Sequence, residues 1–536
     1  MLNWRKILVL THRWLGILGC LLFIAWFVSG IVMMYARMPD FADVERLVHS
    51  DPLDLSKATL SPGEVIAASE FSTDRVQVTM VAGRPAYRLW SGGEFLTVFA
   101  DTGDFFLGVD ADGARVVAQR AGPGGRPLYA GYLEEPDQWT LQSTGEMPFH
   151  VFRFDDANDT RVYVSEARGE TSVRTTRRER FWAYLGPVTH WLYFTPFRRN
   201  GSVWSEFIIW SSLIGCGMCI LGLVWGVLRY SPIRRYRLRG TRVASPYTNW
   251  MKWHHYAGLL FGVVTFTWTY SGLLSMGPFN WFASPGLTMS DREAATHGFL
   301  DGSTLTLDGL RAALATFQRT FDVKELNAVR FQGESYWAAD RIPADARNWR
   351  GSSLLPRASR PRLERHYVSV RAPERAFTEF SRDAFPDIAR KALPGVPVVD
   401  QTWLDDYDGY YYDLARARQL PVLRVRFADA DETWLYLDPR RGAVVQKSTS
   451  TSRLRRWLYQ GFHSLDFPFL YYQRPLWDVV VIGLSLGGLA LSVTTLLPAW
   501  RRLRRHARVI GTGLGSRVRA RFRSRSIPAP TVGDRC

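Results

Sequence analysis

The sequence predicts an integral membrane protein with four transmembrane α-helices, formed by two parallel tandem repeats that each carry an α+β periplasmic domain. Three observations lead to this prediction. Four long apolar runs interrupt a chain of 536 residues, its two halves match each other in register, and the segments between the runs contain strand and helix patterns. Such a chain buries its spans in lipid and exports two folded domains.

Four apolar runs have the length that a membrane span requires. They cover roughly Ile7 to Tyr35, Phe207 to Leu228, Tyr256 to Met276 and Val479 to Leu497. A helix needs about 20 apolar residues to cross a bilayer core. The first run is longer than the apolar part of a signal peptide and has no small-residue cleavage site, so we expect a retained anchor.

Basic residues next to the spans predict the orientation. Lys and Arg are frequent near the N-terminus, in the loop between the second and third spans, and in a tail with many arginines from Arg501 to Arg535 and one acid, Asp534. Cytoplasmic loops favour these residues, so both termini of this multi-pass protein are predicted to lie in the cytoplasm, at a bacterial inner membrane. The net charge of +17 then reflects topology, and the expected partner is the lipid membrane rather than nucleic acid.

The spans and their orientation divide the chain into eight segments. In chain order these are a cytoplasmic N-terminus with the first span (1–36), the first periplasmic domain (37–204), the second span (205–229), a basic cytoplasmic loop (230–252), the third span (253–277), the second periplasmic domain (278–474), the fourth span (475–499) and a basic cytoplasmic tail (500–536). The cysteines lie in spans or in the tail, so no disulfide is expected in the periplasmic domains: Cys20, Cys216, Cys219 and Cys536.

The two halves of the chain match at two constant offsets. At an offset of 242, His12, Trp26, Ser29 and Gly30 match His254, Trp268, Ser271 and Gly272. At an offset of 273, Pro148, Phe154, Asp156, Tyr163, Gly169, His190 and Trp204 match Pro421, Phe427, Asp429, Tyr436, Gly442, His463 and Trp477. Both copies start in the cytoplasm, so the repeats are parallel and we expect a pseudo-twofold axis along the membrane normal.

The periplasmic segments have mostly strand-like patterns, with candidate helices between the strands. Strands are predicted at Phe95 to Ala100, Arg161 to Val164, Leu423 to Phe427 and Trp434 to Leu437. Helices are predicted at Ser61 to Ser69 and at Phe377 to Ala392. The Arg- and Pro-rich stretch from about Ala344 to Pro361 is predicted to be a mobile loop.

Four of the ten histidines have repeat-equivalent positions near a membrane surface. His12 and His254, the inner pair, each lie near the cytoplasmic start of a span, four residues before a glycine that lets a flat ligand approach the backbone. His190 and His463, the outer pair, lie in aromatic segments that lead into the second and fourth spans near the outer surface. Two axial histidines satisfy a low-spin b-type haem, and two haems in a helical bundle provide an electron path across the bilayer.

Other interpretations of these histidines stay open. A histidine near a membrane interface often forms only a hydrogen bond or extends its ring towards water. His255 points about 100° away from His254 around a helix and has no repeat partner, but it replaces His254 as ligand if the register differs. His150 is interpreted as an ordinary surface or core residue, with substrate contact as the alternative. The sequence does not determine which histidines share one iron.

The remaining motifs do not favour hydrolytic or ATP-dependent chemistry. We find no Ser/His/Asp triad, no HExxH helix and no P-loop. The glycines from Gly511 to Gly515 suggest a dinucleotide loop, but they lie in the Arg-rich tail without a βαβ unit. No flavin or nicotinamide domain is recognised, so electrons are expected from an unidentified donor, either a quinol or a cytoplasmic reductase.

Three segments resemble the PepSY-associated transmembrane family: His12 to Gly16 with Ser29-Gly30, His254 to Gly258 with Ser271-Gly272, and Tyr436 to Gly442. The resemblance extends from about residue 6 to residue 505. This family includes iron-regulated inner-membrane proteins and reductases of periplasmic ferric siderophores, in which histidines hold haem in the membrane. The resemblance implies PepSY-like periplasmic domains and axial ligation by His12, His254, His190 and His463, although the turn from Ser165 to Gly169 lacks the Asp-Pro of the family pattern.

These observations lead to one functional hypothesis and two alternatives. The hypothesis is an oxidoreductase with two haem b groups that moves electrons across the inner membrane to a periplasmic ferric chelate, such as a ferric siderophore, in iron acquisition. The alternatives are a non-enzymatic regulatory or binding protein of the PepSY type, and a component of a haem or siderophore permease. Four spans without a midplane charge are few for a permease. Neither the chelate nor homodimer formation is determined by the sequence.

Overall fold

The computed structural model describes residues 3–71, 73–298 and 300–523, with side chains through residue 508. The chain divides into two compact units. The helical unit comprises Met1–Val28, Ile209–Gly272 and Val479–Cys536, and the β-rich unit comprises Ser29–Ile208 and Leu273–Asp478. The end of the basic tail, residues 524–536, lies outside the described residues.

The first half of the chain begins and ends with a long helix. Its helices are α1 (Trp4–Met33), α2 (Asp43–His49), α3 (Pro62–Ser69), α4 (Ala111–Ala121), α5 (Arg177–Ala183), α6 (Thr189–Trp191), α7 (Thr195–Arg198) and α8 (Gly201–Arg229). Its strands are β1 (Arg75–Val81), β2 (Arg84–Ser91), β3 (Glu94–Phe99), β4 (Leu128–Leu133), β5 (Phe149–Arg153), β6 (Arg161–Ser165) and β7 (Glu170–Thr175).

The second half repeats this order after a short hairpin, with one additional strand, β13, before its middle helix. The hairpin consists of β8 (Tyr236–Leu238) and β9 (Thr241–Val243). The helices are α9 (Asn249–Ser275), α10 (Met289–Thr296), α11 (Leu307–Gln318), α12 (Phe385–Ala392), α13 (Ser450–Arg456), α14 (Phe462–Ser464), α15 (Pro468–Tyr471) and α16 (Leu476–Arg523). The strands are β10 (Leu326–Phe331), β11 (Glu334–Arg341), β12 (Glu364–Ser369), β13 (Ala376–Phe377), β14 (Val398–Leu404), β15 (Val422–Phe427), β16 (Trp434–Asp438) and β17 (Ala443–Ser448).

Four helices are long and apolar enough to cross a membrane, as the sequence predicts. They are α1, α8, α9 and the part of α16 from Leu476 to Arg508. The chain is therefore a multi-pass membrane protein, with α+β extramembrane parts beside its membrane helices. In the helical unit, Phe23 and Phe27 of α1 pack with Cys219 of α8, next to Phe266 of α9 and Leu489 of α16.

The β-rich unit contains one sheet to which both repeats contribute. Its order is β13-β12-β11-β10-β1-β2-β3, and all neighbouring strands are antiparallel. Two further antiparallel sheets, β4-β5-β6-β7 and β14-β15-β16-β17, belong to one repeat each. The large sheet packs its core against α3 and α11, with Trp337 and Tyr87 fully buried.

The large sheet joins the repeats at β1 and β10. The β1–β2 turn at Ala82-Gly83 and the β10–β11 turn at Gln332-Gly333 both have two residues with positive φ, as tight hairpins require. This match sets a local offset of 250, which makes Gln77 and Asn327 equivalent. In the antiparallel register Gln77 lies opposite Asn327. A local pseudo-twofold axis therefore passes between these two residues.

Local contacts repeat at the offset of 273 read from the sequence. The amide of Thr160 donates to Asp156 at 2.7 Å, and the amide of Thr433 donates to Asp429 at 2.6 Å. Thr176 and Thr449 each cap the helix that follows with a capping box. The same short-range chemistry thus stabilises the same turn and helix start in both copies.

Two predictions for the second domain are wrong in part. The predicted helix from Phe377 begins only at Phe385, because Pro386 favours a helix start there and Phe377 pairs with Tyr367 in the large sheet. The stretch from Ala344 to Pro361 is not a free loop. Ser353 is buried, its amide donates to Glu179 at 2.8 Å, and Ser352 donates to the same carboxylate at 2.7 Å.

Candidate functional site

The inner pair lies in a cavity of the helical unit. His12 of α1 and His254 of α9 have ring centres 6.2 Å apart, with an angle of 35° between the ring planes. Both line a cavity of about 440 Å³ to which all four long helices contribute. This volume is within the range of cofactor pockets, about 300–1,000 Å³. The structure therefore brings together the two histidines that the sequence pairs.

Each histidine of the inner pair is oriented by a backbone carbonyl of the other long helix of its own repeat. His12 Nδ1 lies 3.0 Å from the carbonyl oxygen of Met218, and His254 Nδ1 lies 3.3 Å from that of Leu491. Met218 and Leu491 differ by 273, so the two contacts are repeat-equivalent. A carbonyl only accepts, so Nδ1 carries the proton and Nε2 keeps its lone pair. Among the described residues, neither Nε2 atom has a hydrogen-bond partner.

Glycines make room for these rings. A Cβ at Gly222 of α8 would lie 2.5 Å from His12 Cε1, so no other residue leaves the ring in place. Gly16 of α1 faces Met218, and its repeat equivalent Gly258 faces Leu491. The glycines that the sequence associates with a flat ligand thus line the cavity beside the histidines.

His255 has different contacts from its neighbour. Its Nε2 donates to the carbonyl oxygen of Gly226 at 2.8 Å, and its Nδ1 lies 2.8 Å from the hydroxyl of Ser245. The side chain is buried, and both ring nitrogens are engaged. A metal ion would have to replace one of these bonds, so the geometry favours His254 over His255 as the ligand.

The outer pair lies in the β-rich unit. The rings of His190 and His463 have centres 6.1 Å apart and make an angle of 68°. His190 Nδ1 lies 3.1 Å from Ser29 Oγ, and the ring faces Gly30, where a Cβ would be 3.5 Å from Cε1. The ring of Tyr459 lies 5.7 Å from that of His463.

Both outer histidines lie in the same local structure. Each follows a π-helical turn, at Tyr184–Val188 and at Trp457–Gly461. Each is then followed, two residues later, by a leucine in the left-handed conformation, Leu192 and Leu465. The indole of Trp204 donates to the carbonyl of Trp191 at 2.8 Å, and that of Trp477 donates to the carbonyl of Ser464 at 2.9 Å. The repeat thus places the two imidazoles by equivalent backbone contacts.

The separation of the rings fits one metal ion between each pair. A first-row metal ion binds an imidazole nitrogen at about 2.0–2.1 Å, so two imidazoles that approach from opposite sides have ring centres about 6.3 Å apart. The observed values are 6.2 Å and 6.1 Å. Within the described residues there is no group of three or more His, Cys, Asp or Glu that could hold a metal ion. Two donors per site fit a metal whose other ligands come from a macrocycle, as in haem.

Other polar residues near the candidate sites were not singled out in the sequence. Asp466, three residues after His463, is buried and accepts a hydrogen bond from the Tyr412 hydroxyl at 3.1 Å. Burial raises the pKa of Asp466 to about 6. Arg13 and Arg502 line the inner cavity. Of these three residues, only Arg13 has a signal in the sequence, because it directly follows His12.

His150 has a structural role in the first domain. Its ring is buried, with Nε2 at 2.9 Å from the carbonyl oxygen of Val109 and Nδ1 at 3.3 Å from the hydroxyl of Tyr129. These contacts favour its interpretation as a core residue over substrate contact.

Comparison with known proteins shows the family to which the chain belongs. A search of curated protein sequences finds no match to this chain. The family described as the PepSY-associated TM region matches residues 9–355, which is more than half of the chain and includes His12, His190 and His254. His463 lies beyond the matched part, and the internal repeat relates it to His190. The chain belongs to the PepSY-associated TM region family.

Proposed function

We propose that the chain is a haem-containing reductase of a bacterial inner membrane that delivers electrons to a ferric chelate, such as a ferric siderophore, in the periplasm. In this proposal both termini lie in the cytoplasm, and a quinol or a cytoplasmic reductase donates the electrons. The observation that carries the proposal is the presence of two repeat-related histidine pairs, each with the ring separation of an axial pair.

The inner pair has the properties of an axial ligand set. His12 and His254 come from different repeats, and the carbonyls of Met218 and Leu491 fix their tautomers. A hydrogen bond from the second ring nitrogen to a carbonyl is the usual support of a metal-binding histidine, because it orients the ring and raises its basicity. Haem b would supply a one-electron Fe(III)/Fe(II) couple here.

The residues around the inner and outer pairs differ in polarity. The inner cavity is lined mainly by apolar side chains and glycines, and no Asp or Glu of the described residues lines it. An apolar, glycine-lined cavity suits a flat apolar ligand, and its low dielectric strengthens charge interactions inside it. The outer pair has a more polar neighbourhood, with Ser29 on His190 and Tyr459 beside His463.

The chemistry of ferric chelates explains the choice of substrate. Hard oxygen donors favour Fe(III) strongly over Fe(II), so transfer of one electron to the chelated iron weakens its binding and releases Fe(II). The reaction needs one electron for each iron and no oxygen or hydride transfer. Two haems in series, each carrying one electron at a time, therefore suit this one-electron reaction.

The test is the visible spectrum of the detergent-purified protein, oxidised and then reduced with dithionite, with the haem content measured per chain. We expect about two b-type haems in the wild type. His12→Ala and His463→Ala should each retain one haem. The matched control is His150→Ala, which changes a buried histidine outside both pairs and should retain two haems.

A second measurement tests the direction of electron flow. Reduced protein is mixed with a ferric chelate under anaerobic conditions, and the haem absorbance is followed in time. We expect reoxidation together with formation of Fe(II), captured by a ferrous indicator. A protein that is colourless when purified from haem-replete cells would exclude the proposal and favour the regulatory PepSY role. If the protein binds two haems but the ferric chelates tested do not reoxidise its reduced form, the proposed substrate class would be excluded.

A further inference from the structure

Two arginines share the inner cavity with His12 and His254. Arg13 of α1 and Arg502 of α16 both line it, and both side chains are only partly exposed. Neither forms an ion pair within the part of the chain that the structure describes, and no carboxylate lines the cavity. Two basic residues thus line the cavity without a counter-ion from the described residues.

This arrangement points to an anionic ligand group. A partly buried guanidinium is stabilised by a carboxylate or phosphate, which it binds through two parallel hydrogen bonds. The other arginines of this end of α16 are exposed, including Arg501, Arg504 and Arg505. Only Arg502 among these four faces the cavity, so the general preference of basic residues for lipid headgroups does not explain its position.

We propose that Arg13 and Arg502 bind the two carboxylates of the porphyrin ligated by His12 and His254. This inference rests on the proposed function, because it assigns the charged groups of the same cofactor. Two cations match two carboxylates, and they lie in the cavity that the axial histidines line.

The pairing has a consequence for the redox equilibrium. A positive charge near the iron disfavours Fe(III) relative to Fe(II) and therefore raises the reduction potential. Loss of one guanidinium therefore lowers the potential, and the carboxylate that it leaves uncompensated lowers it as well, because a negative charge favours Fe(III). Each Arg→Gln change should shift the one-electron equilibrium of the inner haem towards Fe(III) on the order of tenfold, about 59 mV.

The experiment is a potentiometric titration of the purified full-length protein, followed in the visible spectrum. The inner haem is identified as the component that is missing from His12→Ala. We expect Arg13→Gln and Arg502→Gln each to lower its midpoint potential, to lower it further together, and to release haem more easily during gel filtration. The outer haem should keep its midpoint potential. The matched controls are Arg501→Gln and Arg504→Gln, which remove exposed cations from the same helix.

Charge-conserving variants separate folding from binding. Arg13→Lys and Arg502→Lys keep a cation in place, so their midpoint potentials should lie between those of the wild type and the glutamine variants. If the two arginines bind lipid phosphate instead, the glutamine variants will keep both midpoint potentials and both haems. That result would overturn the inference and leave the proposed function intact, whereas a wild type without haem would overturn both.

Discussion

The inner pair shows how backbone atoms select one ring nitrogen for chemistry. His12 and His254 each give Nδ1 to a carbonyl oxygen, at 3.0 Å and 3.3 Å. A carbonyl contact constrains the tautomer without adding a titratable group, and the Thr494 hydroxyl of α16 lies at the same 3.3 Å from His254 Nδ1. The orientation therefore depends on the packing of the long helices.

The neighbouring histidines of α9 provide a residue-scale prediction. His254→Ala should reduce the haem content from two to one per chain, because the proposed function makes His254 an axial ligand. His255→Ala should retain both haems but lower the thermal stability by about 1–3 kcal/mol, because Ser245 and the Gly226 carbonyl lose a buried partner. Haem content and thermal unfolding of both variants check the prediction. Loss of haem from His255→Ala alone would reverse the assignment.

Asp466 gives a prediction on pH. Burial raises its pKa from the ordinary value of 3.8 to about 6, while the bond from Tyr412 and the charge of Arg456 act in the opposite direction. The folded state therefore favours the protonated carboxyl, and this stabilisation is complete below about pH 4 and is lost as the pH rises through about 6.

Asp466→Asn should thus raise the midpoint of thermal unfolding at pH 7.5, by the equivalent of at most about 3 kcal/mol. The difference from the wild type should become small near pH 4. Thermal unfolding at both pH values measures it. Asp405→Asn removes an exposed carboxylate from the same domain and should show no such difference. An equal effect of Asp466→Asn at both pH values would contradict the predicted titration.

At the scale of elements, α8 is shaped for the ring of His12. Gly222 and Gly217 lie on the same helix, but only a Cβ at Gly222 would contact the imidazole, at 2.5 Å, and a Cβ at Gly217 meets nothing within 4 Å. Gly222→Ala should therefore displace His12 and lower the haem content to about one per chain. Gly217→Ala should keep two haems. Haem quantification of the two variants checks this prediction. Full haem content in Gly222→Ala would contradict it, because the ring of His12 would then shift without losing the proposed ligand role.

The sequence predicted those elements whose signal is local. The four spans are clear because a run of apolar residues is long and uninterrupted, and the repeat of His190 and His463 is clear because its offset is constant. The start of α12 at Phe385 was missed because strand pairing of Phe377 depends on a distant partner, Tyr367. Long-range pairing leaves no pattern in a short window of sequence.

The sequence indicated which histidines lie close together but not the groups that support them. The acceptors of His12 and His254 are backbone carbonyls of Met218 and Leu491, and any residue supplies such an atom. The π-helical turns before the outer histidines have no sequence signature of their own. Arg502 belongs to a basic tail, so its place in the cavity depends on the rotation of α16 about its axis.

At the scale of the whole molecule, each histidine pair takes one residue from each repeat. His12 and His190 belong to the first half, and His254 and His463 belong to the second. A chain divided after Arg239, in the exposed turn between β8 and β9, should therefore bind low-spin haem only when both halves are present. Each half alone should lack both axial pairs.

Co-expression of the halves with a tag on one of them measures this dependence. The tagged half should copurify with the other half and with up to two haems per pair of halves, because β1 and β10 pair across the repeats. The uncut chain is the control. A single half that is monomeric by size-exclusion chromatography and still carries low-spin haem would contradict the assignment of the ligand pairs.

The register of β1 against β10 also indicates how the two repeats of the chain could have originated. Gln77 faces Asn327, its own counterpart, and this is the geometry of two identical subunits that meet at a symmetric contact. A single-copy ancestor with this strand would close into a homodimer with two shared histidine pairs, and gene duplication with fusion would preserve both. Once fused, the copies were free to diverge, so that one polypeptide now offers different side chains, such as Gly222 and Thr495, at positions that symmetry once kept the same.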